Sequence, residues 1–136
     1  MFRIFCYGSL MNPVVRSTIF NRHIQSFPYT LPNMKRVWNA RIYHKKMTAL
    51  GIELDDNSSI TGSIFYINKR EIDLLDTYEK SYARMYSATP HNLYIYIPHS
   101  PLPPTEHYPV KQEYIDLCLS QCNDPMVRDD KVFTVS

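Results

Sequence analysis

Glycine is scarce in this chain. Among 136 residues there are three, Gly8, Gly51 and Gly62. Glycine-rich phosphate loops are therefore excluded, and each glycine marks a backbone that turns or approaches a neighbour closely. Cysteine is also sparse and odd in number, at three. A disulfide framework is not expected, and a reducing, cytoplasmic setting is. No run approaches the ~20 apolar residues of a membrane span. Arg3 and Tyr7 interrupt the N-terminus before a secretory segment could form. Charge of one sign is lacking too. Fifteen basic residues face thirteen acidic ones, for a net +2. A local pair such as Lys45-Lys46 is too short for a nucleic-acid footprint. Neither a nucleic acid nor a membrane is an expected partner.

What is present is an ordinary globular balance, with 44% hydrophobic and 21% charged residues. The length fits one domain over residues 1–136, large enough for a core. Ten prolines and eleven tyrosines stand out against the three glycines.

The stretch from Asn68 to Arg84 organises the rest. Asn68 followed by Glu71 predicts a helix start, a side-chain cap with a carboxylate three residues on. At ~100° per residue, Leu74, Tyr78, Leu75, Glu79 and Ile72 share one arc of roughly 160°. Capping accounts for Glu71. It does not account for Glu79, which lies at the negative end of the helix beside Ile72 and Leu75. A carboxylate there is expected to be partly desolvated and to hold its proton towards neutrality, as a general acid and base must. The bland alternative is a Glu paired with Arg84 or reaching solvent.

In chain order, Phe2 to Cys6 predicts a buried first strand that breaks at Tyr7-Gly8-Ser9-Leu10. Asn12 and Pro13 then read as cap and first residue of a helix running to about Phe20. Several backbone N–H groups converge at this turn, which suits a carboxylate or phosphate; a plain strand-to-helix turn is the simpler reading. Residues 21–33 read as a loop broken by Pro28 and Pro32. Val37 to Tyr43 reads as a strand. Met47–Leu54 and Ile60–Ile67 read as a hairpin across the polar cluster Asp55 to Ser59, with Gly62 marking a bulge or a close approach. Tyr82–Thr89 and Leu93–Ile97 form another strand pair. Ser100–Thr105, with Pro101, Pro103 and Pro104, is expected to be extended. Pro109 is expected to open a well-buried helix ending near Cys122. Val132–Val135 reads as a short edge strand. The pattern is α+β: an antiparallel or mixed sheet, curled towards a barrel, with helices packed on one side.

Two blocks together carry a resemblance. Tyr7-Gly8-Ser9-Leu10 closes a first strand. Ile60-Thr61-Gly62-Ser63-Ile64-Phe65-Tyr66 precedes Leu75-Asp76-Thr77-Tyr78-Glu79, with Tyr82 and Arg84 soon after. In this order the chain resembles the γ-glutamylcyclotransferase-like family over roughly residues 2–97. One departure is Lys80, where many members have glycine.

The resemblance implies a small barrel-like α+β fold and a lyase reaction on a small γ-glutamyl substrate. The α-amino nitrogen attacks its own γ-carbonyl, giving 5-oxoproline and a free amine or amino acid. Glu79 is the implied catalytic acid and base. Tyr7, Gly8, Ser9, Leu10 and Tyr82 are the expected substrate-binding residues. No metal or other cofactor is required, and monomer and homodimer both stay open. A catalytically silent binding or interaction module of the same fold is the alternative. Other chemistry is weaker. Ser9 lacks a nucleophile's surroundings. Cys6 falls within a strand and is expected to pack. Cys118, Cys122, His91, His99 and His107 lack metal spacing. Tyr78 is assigned to core packing, and the Tyr114 hydroxyl to a backbone partner.

Overall fold

The computed structural model describes residues 1–99 and 108–134. Its centre is β1 (Phe2–Cys6), the middle of a five-stranded sheet. Ile4, Phe5 and Cys6 in this strand are all buried. β1 pairs antiparallel with β3 (Met47–Ile67) and parallel with β5 (Leu93–Pro98). β2 (Phe27–Ile42) flanks β3 and β4 (Tyr82–Ser87) flanks β5, for the order β2-β3-β1-β5-β4. The sheet is thus mixed and curled into a half-barrel, with helices packed on it: an α+β fold.

β3 has 21 residues. Laid straight it would span about 70 Å at ~3.3 Å per residue, while a chain of this length folds to a radius of gyration of about 14 Å. It has to bend. The β2–β3 ladder shifts register at Pro32/Met34 and at Val37/Ala40, and such irregularities increase local twist and bend a strand.

This corrects the reading of residues 21–67 as a loop, a strand and a hairpin. Met47–Leu54 and Ile60–Ile67 do not pair with each other. Both pair with β2, which begins at Phe27. Pro28 and Pro32 are tolerated because β2 is an edge strand, where a missing N–H removes no ladder bond. The polar cluster keeps its local chemistry, since Asp55 Oδ1 accepts from Asn57 N at 3.0 Å. It turns the strand aside opposite Asn33 (φ 63°) without reversing it.

α1 (Pro13–Phe20) starts where the sequence places it, with Asn12 Oδ1 accepting from Val14 N. α2 (Lys69–Tyr78) opens on a complete capping box between Asn68 and Glu71, and Arg22 grips Glu71 at 2.7 and 2.9 Å. Its buried stripe, Glu71, Ile72 and Leu75, is narrower than the predicted arc. Leu74 is 44% and Tyr78 38% exposed, so neither belongs to the core.

α3 (Gln112–Leu119) begins later than Pro109, because that segment runs along β3 instead. The Pro109 carbonyl accepts from Thr48 N at 3.1 Å, and Val110 bridges Thr48. Only Ile115 and Cys118 of α3 are buried, and Leu117 is exposed, so the helix is less covered than expected. α4 (Pro125–Arg128) follows. The expected strand at 132–135 is instead a 3-10 turn, Lys131–Phe133, capped by Asp130. Val135 and the proline-rich stretch 100–105 lie outside the described residues.

Candidate active site

Glu79 sits at the C-cap of α2, with its N–H bonded to Leu75 O at 2.8 Å and its carbonyl accepting from Tyr82 N at 2.9 Å. Backbone bonds on both sides fix where its side chain starts. The carboxylate borders a cavity of ≈ 270 Å³. Among the described residues it has no hydrogen-bond or ion-pair partner. Arg84 goes elsewhere, to Asp76 at 3.5 Å. Burial without compensation raises the Glu79 pKa from 4.5 to about 8. Its carboxyl is therefore in both forms near neutral pH.

The Tyr7 turn forms the facing wall. Tyr7, Gly8, Ser9 and Leu10 all line the same cavity as Glu79. Gly8 leads into a 3-10 turn, Ser9–Met11, whose own bonds start only at Met11 N→Gly8 O and Asn12 N→Ser9 O. The N–H groups of Gly8, Ser9 and Leu10 thus have no backbone acceptor among the described residues. A Cβ at Gly8 would stand 3.0 Å from the Tyr114 hydroxyl oxygen, so any larger residue there makes that side chain give way.

Tyrosines build the rest of the wall. Tyr7 donates its hydroxyl to Tyr96 O at 2.6 Å, and Tyr82 donates to Leu50 O at 2.7 Å. Both hydroxyls are tied to backbone, so the rings face the cavity as fixed panels. Burial, reinforced by nearby anionic groups, pushes both pKa values well above the ordinary tyrosine range. Tyr96 donates to Asp76 Oδ1 at 2.6 Å. Tyr78, assigned above to the core, shares a 2.9 Å hydrogen bond with the Ser9 hydroxyl at the cavity rim. It lies off the buried stripe because its turn of α2 ends over the cavity.

All six residues singled out in the sequence, Glu79, Tyr7, Gly8, Ser9, Leu10 and Tyr82, come together around this one cavity. Sequence reasoning missed Leu50, Tyr96, His44 and Lys45, which also line it; Lys80, noted there as the departure after Glu79, lines it too. Tyr114 was assigned a backbone partner; it stands instead against Gly8, with its ring edge-on to Trp38 at 6.0 Å. Nothing in the local pattern marks these residues, because each arrives from a different strand or helix. Residues 21–33, read from the sequence as a loop, do not line the cavity. Cys6 does, but burial pushes its thiol up to about 12, as suits a packing residue.

The family model described as Gamma-glutamyl cyclotransferase, AIG2-like matches residues 4–116. The chain belongs to that family. Both halves of the site, the Tyr7 turn and Glu79, lie within the matched stretch. Solved structures share the family fold at low identity. One described as a gamma-glutamyl cyclotransferase superposes with a TM-score of 0.74 at 17% identity, over 99% of this chain and 88% of that one. An uncharacterized human protein gives 0.76 at 15% identity with the same coverage, 99% and 88%. A protein from Pyrococcus horikoshii gives 0.54 at 11% identity, over 75% and 82%. No curated protein sequence matches the chain. Among the described residues no helix is long and apolar enough to cross a membrane.

Proposed function

We propose that this member of the gamma-glutamyl cyclotransferase, AIG2-like family is a cyclotransferase-type lyase. It would split a small γ-glutamyl compound into 5-oxoproline and a free amine or amino acid. The observation that carries the reading is the opposition, across one cavity, of Glu79 with pKa about 8 and a turn whose amides have no backbone acceptor, each without a partner among the described residues.

The substrate's α-carboxylate takes the N–H groups of Gly8, Ser9 and Leu10. That anchor bends the molecule so the α-nitrogen reaches its own γ-carbon, an orientation effect that replaces an external nucleophile. Ionised Glu79 removes a proton from the α-ammonium. The freed nitrogen then forms its bond to the γ-carbon, and the carbonyl oxygen becomes an oxyanion. The paired hydroxyls of Ser9 and Tyr78 supply donors beside the turn. Collapse breaks the bond from the γ-carbon to the leaving nitrogen as Glu79 returns its proton to that nitrogen, and the ionised carboxylate then takes the second proton from the ring nitrogen and passes it to the released amine. No water enters the balance. A carboxyl whose pKa lies near 8 serves both transfers, because neither its proton nor its charge is held too firmly.

The test is incubation with γ-glutamyl dipeptides, γ-glutamyl amines and glutathione while 5-oxoproline is measured. Glu79→Gln should lower the rate by about 10²–10⁴-fold, the usual worth of a positioned acid and base. Turnover of the wild type should rise with pH through about 8, as Glu79 loses its proton. A Glu79→Gln protein that turns over normally would remove Glu79 from the mechanism. Ligand-induced thermal stabilisation without product would mark a binding module instead.

A further inference from the structure

The turn that faces Glu79 is held from behind. Each carbonyl from Tyr7 to Met11 has a donor. Tyr7 O accepts from Arg36 Nε at 2.8 Å. Gly8 O and Ser9 O accept from Met11 N and Asn12 N, both at 3.0 Å. Leu10 O and Met11 O accept from Arg16 Nη1 at 2.8 and 3.0 Å. With its oxygens drawn to one side, the turn presents the N–H groups of Gly8, Ser9 and Leu10 on the other.

Arg36 is the unusual part of this backing. Its side chain is 0% exposed. Besides Tyr7 O it donates through Nη2 to Thr61 O at 2.6 Å, lies 3.5 Å from Met11 Sδ, and stacks 5.3 Å over the Phe133 ring. Its charge is met by Asp130 Oδ2, 2.8 Å from Nη1. Asp130 belongs to the C-terminal tail. It lies beyond residue 116, where the family match ends, so family membership says nothing about it. The other oxygen of Asp130 caps Val132 N at 3.1 Å, which keeps Phe133 over the guanidinium. A planar fork serves four directions here at once, which an ammonium cannot do.

We propose that Arg36, oriented by Asp130, is a positioning residue: it aims the amides of the Tyr7–Leu10 turn and so sets how tightly the site holds a ligand carboxylate. This rests on the cyclotransferase reading for the identity of that carboxylate. The pair touches neither Glu79 nor the reacting atoms, so it acts on binding rather than on proton transfer.

The experiment is calorimetric titration of the full chain and of R36K, D130N and D130E with 5-oxoproline. 2-Pyrrolidinone, the same lactam without its carboxylate, serves as the control. KM, kcat and the pH profile with a γ-glutamyl dipeptide are measured alongside. R36K and D130N should weaken 5-oxoproline binding and raise KM about tenfold, the scale of one charge-assisted hydrogen bond. kcat should stay within about threefold, the limb near pH 8 should not move, and binding of 2-pyrrolidinone should be unchanged. D130E should recover most of the loss. If R36K does not fold, D130N carries the test alone, since its side chain is isosteric and partly exposed. Unchanged 5-oxoproline affinity in the folded variants would overturn the inference, and so would equal losses for both ligands. A wild-type chain that binds 5-oxoproline but never forms it sinks the enzyme reading alone.

Discussion

At the scale of single residues, Glu79 ties stability to pH in an uncommon direction. A carboxyl near 4.5 in the unfolded chain is raised to about 8 in the fold. Between those values the folded chain binds more protons than the unfolded one, so stability falls as pH rises across that window and levels off above it. Glu79→Gln should therefore stabilise the protein at pH 9 and leave it unchanged near pH 5. The gain should be on the order of 2 kcal/mol, less than a dry carboxylate would give, because the cavity admits water. Thermal melts of both proteins across pH 5–9 check this, and a constant difference between them would contradict it. Much of this residue was legible in the sequence: its place on an apolar arc at the negative end of a helix already predicts a raised pKa. Which acid takes Arg84 was not legible, because it depends on how β4 crosses α2: Asp76 takes it, and Glu79 has no ion-pair partner among the described residues.

At the scale of elements, the capped helix starts at Asn12 and Asn68 were readable, whereas the start of α3 and the pairing of β2 with β3 were not. The caps at Asn12 and Asn68 are local hydrogen bonds between residues two or three apart, so the chemistry that makes them is written contiguously. The β2–β3 ladder joins residues as far apart as Phe27 and Ile64. Its edge position excuses Pro28 and Pro32, and a proline's meaning in a strand depends on which strand lies beside it. Gly62 shows the same dependence. Of the two readings of that position, bulge or close approach, the second holds: the register shifts lie elsewhere, and a Cβ there would stand 2.2 Å from the Cys6 carbonyl oxygen. Gly62→Ala should therefore push β3 off β1 and cost about 2–3 kcal/mol or more, since the obstacle is backbone and cannot swing aside. Chemical denaturation checks it. Because Cys6 leads into the Tyr7 turn, substrate binding should weaken in the folded fraction as well.

At the scale of the whole molecule, the sheet is closed by distant partners. β1 pairs across about sixty residues with β3 and about ninety with β5, as in Phe5↔Ile64 and Phe5↔Ile95. Trp38, the only tryptophan, donates Nε1–H to Val132 O at 3.1 Å, so its fluorescence reports tail docking and sheet formation together. Such non-local topology delays folding, because loop entropy is lost before contacts form. Stopped-flow refolding followed at Trp38 should fall in the millisecond-to-second range, and a microsecond phase carrying the full amplitude would contradict the strand order.

Taken by itself, the sequence determined the α+β class, the capped helix starts at Asn12 and Asn68 and the family, and it named six residues that meet at one cavity, because each of these is carried by short-range pattern: periodicity, caps and two compact motifs. Only the tertiary structure decided that β2 and β3 form one long bent ladder. It also decided that Tyr78 and Tyr114 face the cavity and that the C-terminal tail reaches back through Asp130 to the Tyr7 turn. Those contacts join residues dozens of positions apart, and no local preference specifies which distant surface a strand or side chain will meet.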